Sequence, residues 1–187
     1  MKRFCLFILV FAFLFSACKS SKNSLTPQQV ESFNNLVASQ EFTIESDWAY
    51  PQVTNAMSQV LNSQLLAPGN NASAINLIGN ANFLTIKGDS VTSYLPYFGE
   101  RQMQVAYGGT DGAIQFNGLM EDYQVKNDKN NRKIISFKAK SNNTESFNVT
   151  ITLFPNLNAQ MSLNGASRFI IQYSGNVEPL EKKEKTS

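Results

Sequence analysis

Apolar residues recur at two different spacings along the chain, and the change of spacing divides it into elements. Residues 26 to 29 read "TPQQ", in which a Thr cap is followed by Pro and, three residues after the cap, by Gln. This order is typical of a helix N-terminus. Val30, Phe33 and Val37 then follow at helical spacing and predict an amphipathic helix of about three turns. We expect its apolar stripe to close one end of a sheet, with partner binding as the alternative.

From residue 41 the apolar spacing changes to two. The segment "EFTIESDWAY", residues 41 to 50, alternates as a strand with one buried face does, and Pro51 ends it. The predicted buried face carries Phe42, Ile44, Ser46, Trp48 and Tyr50. Residues 52 to 74 show no regular spacing, and we interpret them as an insertion that forms a short helix or a flap.

Short alternating segments follow one another through the rest of the chain, separated by turn-forming sequences rich in Gly and Asn. Connections this short require antiparallel neighbours, because a parallel crossover needs about a dozen residues. The chain is therefore predicted to be all-β, an antiparallel meander that forms a small barrel or a strongly curved sandwich with one short N-terminal α-helix. The predicted strands are 75–78, 82–87, 90–95, 101–107, 113–117, 120–127, 132–140, 145–154, 158–163 and 168–175.

The N-terminus has the pattern of a secretory signal. Lys2 and Arg3 precede an apolar run from residue 4 to residue 15, which is shorter than the roughly 20 residues of a membrane-spanning helix. The following "LFSAC" resembles the bacterial lipobox, which implies cleavage before Cys18 and a diacylglyceryl group on its sulfur. Ordinary cleavage would instead leave a lone thiol with no partner in the mature chain.

These boundaries give four segments. Residues 1–17 are predicted to be a lipoprotein signal peptide and residues 18–25 a lipidated, flexible tether of polar composition. Residues 26–177 form a single β domain that includes the insertion. The charged residues 178–187 have almost no apolar content and are predicted to be a disordered tail.

Composition excludes several functions. Lys2 and Arg3 are two of 16 basic residues, so the chain after residue 17 has 14 basic and 14 acidic residues, and no basic stripe supports nucleic-acid binding. The chain has no His, which excludes Ser-His-Asp triads and His-ligated zinc. Glu121 and Asp122 alternate to opposite faces of a strand, and Asp128 lies in a turn sequence. We therefore predict no enzyme, no cofactor and no metal.

Aromatic residues cluster around one arginine in the middle of the chain. Pro96 disfavours a central strand here, so this stretch is expected to bend at an edge or rim. At the mouth of a barrel such side chains would suit a ligand with a ring-shaped or apolar part and a negative group. The alternative is that the rings pack in the core. The candidate ligand-binding residues are Tyr94, Tyr97, Phe98, Arg101 and Tyr107.

Four segments carry a resemblance to a known family: "GDSVTSYLPYFGERQMQVAYGGTDGAIQF" (88 to 116), "DYQVK" (122 to 126), "ITLFPNLNAQMSL" (151 to 163) and "RFIIQYSGNV" (168 to 177). Together they resemble the DUF4251 family of Bacteroidota lipoproteins. The resemblance implies a lipidated envelope protein with a lipocalin-like antiparallel fold, and it implies no activity. About fifteen residues between Pro51 and Ile75 depart from the family pattern.

Two further expectations follow from this resemblance. Lys19 rather than an acidic residue follows Cys18, so by analogy the protein faces the periplasm from the outer membrane. The triplet from Asp89 to Val91 matches a Bacteroidota O-glycosylation pattern at Ser90, although the same triplet also suits the start of a strand.

The function predicted from the sequence is that of a membrane-anchored envelope lipoprotein. We predict that it is a non-catalytic binding module for a small apolar or sugar-like ligand, or for an envelope partner. A structural or assembly lipoprotein that works through protein contacts is the alternative. A carboxylate-based hydrolase is the least favoured hypothesis.

Overall fold

Antiparallel strands and two helices make up the part of the chain that the computed structural model describes, which is residues 25–63, 66, 68–101, 112–142 and 145–180. The helices are α1 (Pro27–Ser39) and α2 (Asn55–Asn62). The strands are β1 (Glu41–Pro51), β2 (Ile75–Asn76), β3 (Phe83–Lys87), β4 (Ser90–Pro96), β5 (Ala113–Ile114), β6 (Asn117–Leu119), β7 (Glu121–Asn127), β8 (Lys133–Lys140), β9 (Ser146–Leu153), β10 (Asn158–Gly165) and β11 (Ile171–Pro179).

The strands form one sheet in the order β5-β4-β3-β1-β11-β10-β9-β8-β7, with β2 added to β1 and β6 added to β4. Every pairing described is antiparallel. Within the described residues the two margins meet at a single bridge between Phe116 and Ser141, and the Asn142 N–H donates to the Gln115 carbonyl at 2.9 Å. The sheet is therefore strongly curved but not closed, and the predicted antiparallel meander with an N-terminal helix is confirmed.

The inner face of the curved sheet is filled with aliphatic and aromatic side chains. Alternate residues of each long strand point inward, as the pattern eBeBeBiB along β9 illustrates. Leu84, Leu95, Ile135, Ile151 and Leu163 have no or almost no exposed surface. Because these side chains occupy the interior among the described residues, space open to solvent lies at the surface and at the ends of the sheet.

The predicted buried face of β1 is wrong in its second half. The pairing with β11 shifts between Ser46 and Trp48, which is a β-bulge, and a bulge exchanges the two faces of the strand that follows it. Phe42 and Ile44 are buried as predicted, but after the bulge Ala49 is buried and Tyr50 is 39 % exposed.

A buried amide and a glycine hold this bulge. The Asn82 Oδ1 accepts the Ser46 N–H at 2.8 Å, and its Nδ2 donates to the Ser46 carbonyl at 2.9 Å. On the other side Gly175 lies so close to β1 that a Cβ there would be 1.9 Å from the Glu45 carbonyl oxygen. Only glycine can occupy this position without displacing the backbone of β1.

The N-terminal helix forms as predicted. The Gln29 N–H donates to the Thr26 Oγ1 at 3.3 Å, and the Thr26 N–H donates to the Gln29 Oε1 at 2.9 Å, which completes a capping box. The helix ends before Gln40, which adopts a left-handed φ of 52°. It packs on one end of the sheet through Phe33 and Val37, the two side chains of α1 that are buried. None of the described helices is long and apolar enough to cross a bilayer.

Three sequence predictions concern the insertion, the C-terminal tail and the strand 101–107. The insertion contains α2, which agrees with the predicted short helix. Strand β11 continues to Pro179, two residues into the predicted tail, because Glu178 and Pro179 pair with Thr43 and Phe42. Of the predicted strand 101–107 only Arg101 is described, and it bridges Arg168. Residues 102–111 and 181–187 lie outside the described residues.

Candidate functional site

An open groove of about 1520 Å³ lies at the end of the sheet where the described chain both begins and ends. One wall is the face of α1, and the other is formed by the β7–β8 and β9–β10 turns. The helix α1 is fixed to the sheet by Phe33, near its middle, and by Val37, in its last turn, while Gln28, Gln29 and Ser32 line the groove. Its apolar lining includes Leu25, Phe33, Leu36, Phe154, Leu157 and Leu180.

The β9–β10 turn places a strained leucine at the rim of the groove. Leu157 has a left-handed φ of 65°, held by hydrogen bonds from its N–H to the Phe154 carbonyl at 2.9 Å and from the Val177 N–H to its own carbonyl at 2.8 Å. A residue other than Gly or Asn in this conformation costs roughly 1–2 kcal/mol. The Leu157 side chain is nevertheless 42 % exposed. Strained residues of this kind concentrate at functional sites.

The β7–β8 turn supplies an arginine to the groove. The Arg132 guanidinium forms an ion pair with Asp128 and stands 5.9 Å from the centroid of the Phe154 ring. Its Nε donates to the Lys129 carbonyl at 3.3 Å. These two hydrogen bonds use two of the five N–H groups of the guanidinium, and within the described part of the chain the other three have no hydrogen-bond partner. Arg132 is thus oriented by the protein and can still donate to a ligand.

Charge is unevenly distributed around the groove. The segment from residue 126 to residue 133 contains Lys126, Lys129, Arg132 and Lys133 but Asp128 as its single carboxylate. On the opposite side Glu41 lines the groove at the start of β1. The wall that contains Arg132 is basic because of this segment, although among the described residues Arg132 alone of these four cations lines the groove, and the opposite wall contains a carboxylate.

The other end of the sheet is closed by a buried ion pair. The Arg168 Nε is 2.8 Å from the Glu145 Oε2, and the two side chains are only 2 % and 10 % exposed. The guanidinium also stands 5.0 Å from the Tyr97 ring centroid and 5.7 Å from that of Phe147. The second Glu145 oxygen accepts the Ser167 N–H at 2.9 Å. We refer to Arg168, Glu145, Tyr97, Phe147 and Tyr173 as the sealed cluster.

Two tyrosine hydroxyls complete the sealed cluster. The Tyr173 hydroxyl donates to the Pro96 carbonyl at 2.8 Å, and the Tyr97 hydroxyl lies 2.8 Å and 3.0 Å from the Glu100 and Phe169 carbonyl oxygens. Burial raises the pKa of Tyr97 to about 12 and also raises the pKa of Tyr173. Both therefore remain protonated donors at neutral pH.

The ionisation of Glu145 reflects two opposing effects. Burial acts to raise its pKa, but hydrogen bonds from Arg168 and Ser167 stabilise the carboxylate and lower the pKa overall. Glu145 is therefore charged at neutral pH and neutralises Arg168. No local pattern predicts this pair, because the partners are 23 residues apart and belong to unrelated patterns.

The candidate ligand-binding residues do not all come together. Tyr97 is partly buried against the core, and the Arg101 charge opposes the rise in its pKa that burial causes. Tyr94 points to the outer face of β4, where it is 43 % exposed and pairs with Phe83 across the strands. Phe98 is partly exposed. Tyr107 lies outside the described residues.

The remaining candidate residues have structural surroundings or lie beyond the described chain. Cys18 belongs to the latter group. Ser90 begins β4 after a tight turn, and its hydroxyl donates to the Asp89 carboxylate at 3.2 Å. Glu121 and Asp122 pair on the surface with Lys140 and Lys138. Within the described ranges there is no group of three or more His, Cys, Asp or Glu that could hold a metal ion.

The fold and the groove define an antiparallel β-sheet protein with one capping helix, whose core is packed and whose surface site lies at one end of the sheet. A family model described as a domain of unknown function, DUF4251, matches residues 25–177, so the chain belongs to the DUF4251 family. No curated relative matches the chain.

A solved structure supports the same fold. The chain resembles the crystal structure of a DUF4251 family protein from Bacteroides eggerthii DSM 20697, with a TM-score of 0.52 and 17 % identity over 81 % of this chain and 88 % of that one. At this level of identity the similarity concerns the fold alone.

Proposed function

We propose that the protein is a non-catalytic, lipocalin-like binding module of the cell envelope, and that its groove takes a small ligand with an apolar or sugar-like part. The observation that carries this proposal is the contrast between a filled sheet interior and an open groove of about 1520 Å³. A concave surface with an apolar floor and a few polar groups is the usual form of a small-molecule site.

The lining of the groove suits such a ligand. Phe154, Leu36 and Leu157 offer apolar surface, while Gln28, Asn130 and other amides at the rim can both donate and accept hydrogen bonds. No group with the chemistry of a nucleophile or a general base is needed for this role. The proposal thus agrees with the lack of His in the sequence.

The same proposal includes the predicted anchor. A lipid on Cys18 would attach the chain to the membrane seven residues before Leu25, which lines the groove. A fully extended chain covers about 3.5 Å per residue, so the groove would stay within roughly 25 Å of the bilayer surface. We propose the periplasmic side of the outer membrane as its location, with O-glycosylation at Ser90 as a possible modification in that compartment.

An assembly function is the second candidate, and one observation favours it. Phe83 and Tyr94 form an exposed aromatic pair on the outer face of the sheet. Exposed aromatic side chains are common at protein interfaces. An envelope partner docked on this face would leave the groove empty.

A fluorescent apolar probe tests the groove against the outer face. The chain from residue 18 with Cys18→Ser is titrated with N-phenyl-naphthylamine, which brightens in apolar surroundings. We expect saturable binding that Leu157→Asn weakens by about fivefold, the equivalent of losing most of one leucine contact. The matched control Tyr94→Ser should bind as the parent does. Absence of saturable binding, or loss of binding in Tyr94→Ser alone, would refute the groove as the site.

A further inference from the structure

We infer that the ligand of the groove is an amphiphile with one alkyl chain and an anionic phosphate-type head group. This inference rests on the proposed function and assigns a ligand class to the same site. Three features support it, which are the orientation of Arg132, the strained backbone of Leu157 and the polar composition of the two terminal segments of the chain.

The head-group site is the basic wall. Arg132 is fixed by Asp128 and by the Lys129 carbonyl, and three of its N–H groups have no hydrogen-bond partner among the described residues. A planar guanidinium held in this way suits bidentate contact with phosphate oxygens. Lys129 and Lys133 are not in the groove lining, but they lie in the same turn region, whose positive charges outnumber the one negative charge of Asp128. An anionic group is therefore favoured at this wall over a neutral one.

The alkyl-chain site is the floor beside it. Phe154 contacts the Arg132 guanidinium on one side, and Leu157 stands at the end of the same turn. Gly or Asn would adopt the left-handed φ of Leu157 with less strain, so the turn by itself does not account for a leucine at this position. A leucine at this position adds apolar surface next to a cation, which is what an amphiphile requires.

The terminal segments of the chain do not match this site themselves. Residues 19 to 24 read "KSSKNS" and residues 181 to 187 read "EKKEKTS", and both adjoin the groove in sequence. Neither segment contains an aliphatic or aromatic residue. These two segments therefore supply no apolar side chain to cover the floor, and the predicted anchor at Cys18 would hold the groove near a source of amphiphiles.

Monomeric dodecyl phosphate and dodecyl maltoside, both below their micelle concentrations, test the head-group preference by calorimetry on the Cys18→Ser chain. We expect dodecyl phosphate to bind about tenfold more tightly, as charge-assisted hydrogen bonds would provide. Arg132→Gln should remove this preference and leave dodecyl maltoside unchanged. Glu41→Gln should strengthen dodecyl phosphate binding, because it removes the carboxylate from the groove lining. A fold-disrupting change could not produce that gain.

Lys138→Gln, on the outer surface and paired with Asp122, is the matched charge control and should not alter binding. Equal affinity for both amphiphiles, or an Arg132→Gln variant that keeps the preference, would overturn the inference. In that case binding of N-phenyl-naphthylamine would still uphold the proposed function. Loss of binding for all three probes would refute both.

Vesicles distinguish the source of the amphiphile. Flotation with phosphatidylcholine vesicles that contain phosphatidylglycerol, but not with pure phosphatidylcholine, would identify a bilayer lipid if Arg132→Gln abolishes it. Binding of monomeric dodecyl phosphate without flotation would identify a free amphiphile. Both results support the ligand class, whereas flotation that Arg132→Gln leaves unchanged contradicts it.

Discussion

The two ends of the curved sheet each contain an arginine, and the two arginines differ in burial and in their hydrogen-bond partners. At the sealed cluster Arg168 is almost fully buried, paired with Glu145 and covered by aromatic rings. At the groove Arg132 stands at the surface on one half-buried ring, with most of its N–H groups available. Arg168 is therefore part of the packing that closes one end of the molecule, whereas Arg132 at the other end keeps N–H groups that can donate to a ligand.

The difference shows where this fold can accommodate function. A buried ion pair that loses one partner leaves an uncompensated charge, so the sealed cluster tolerates little change. The groove consists of turns and one helix face, whose side chains can vary at little cost to stability. Substitutions at the two ends should consequently affect different properties, which are stability at the sealed cluster and binding at the groove.

The largest effect is expected for Arg168→Met. This change leaves the Glu145 carboxylate buried without its partner and should lower the free energy of unfolding by about 3–5 kcal/mol. The matched control is Lys138→Met, which breaks the exposed pair with Asp122 and should cost far less, because solvent screens that pair. Urea unfolding of both variants measures the difference. Equal losses would show that the sealed cluster has no special structural role.

A moderate effect is expected for Tyr173→Phe. It removes the donor to the buried Pro96 carbonyl and should cost about 1–2 kcal/mol. Tyr50→Phe is its control, since the Tyr50 hydroxyl bonds the Ser174 hydroxyl at 3.1 Å on the surface and should contribute less than about 0.5 kcal/mol. Thermal unfolding of the two variants decides between them. A Tyr50 variant as unstable as the Tyr173 variant would contradict the comparison.

Acid should lower the stability of the protein by protonating Glu145 in the sealed cluster. The pKa of Glu145 is lower in the folded protein than in the unfolded chain, so its contribution is present above the unfolded value of about 4.5 and is lost as pH falls through the folded pKa. Between about pH 7 and pH 3 the parent should therefore lose more stability than Glu145→Gln does. Urea unfolding at both pH values measures this, and equal losses would remove Glu145 from the account.

The smallest effect on stability is expected for Leu157→Asn at the groove. Asn tolerates the left-handed φ better than Leu, which compensates for the lost apolar contact, so the free energy of unfolding should stay within about 0.5 kcal/mol of the parent value. Chemical unfolding measures it together with the probe titration. A large loss of stability would mean that Leu157 serves the fold and not the ligand.

Features that depend on neighbours in sequence could be predicted, and features that depend on distant partners could not. The capping box from Thr26 to Gln29 and the alternation along β9 are local, and both are confirmed. The bulge in β1 depends on Asn82, 36 residues after Ser46, and so the exposure of Tyr50 was predicted wrongly.

The groove itself could not be found from the sequence for a related reason. Its walls come from α1 and from two turns, and each of these segments has an ordinary pattern for a helix or a connection. The aromatic composition indicated a group of rings near Arg101. In the structure Tyr97 belongs to the sealed cluster and Tyr94 to the outer face of the sheet. The positive φ of Leu157 at the rim of the groove is visible only in the structure, because the turn sequence does not show which residue adopts it.

The most direct test of the groove as the binding site is an amide chemical-shift map of the isotope-labelled Cys18→Ser chain with N-phenyl-naphthylamine. We predict shifts at Gln28, Asn130 and Leu157 around the groove, with none at the sealed cluster. Shifts centred on Phe83 and Tyr94, or at Arg168, would contradict the account.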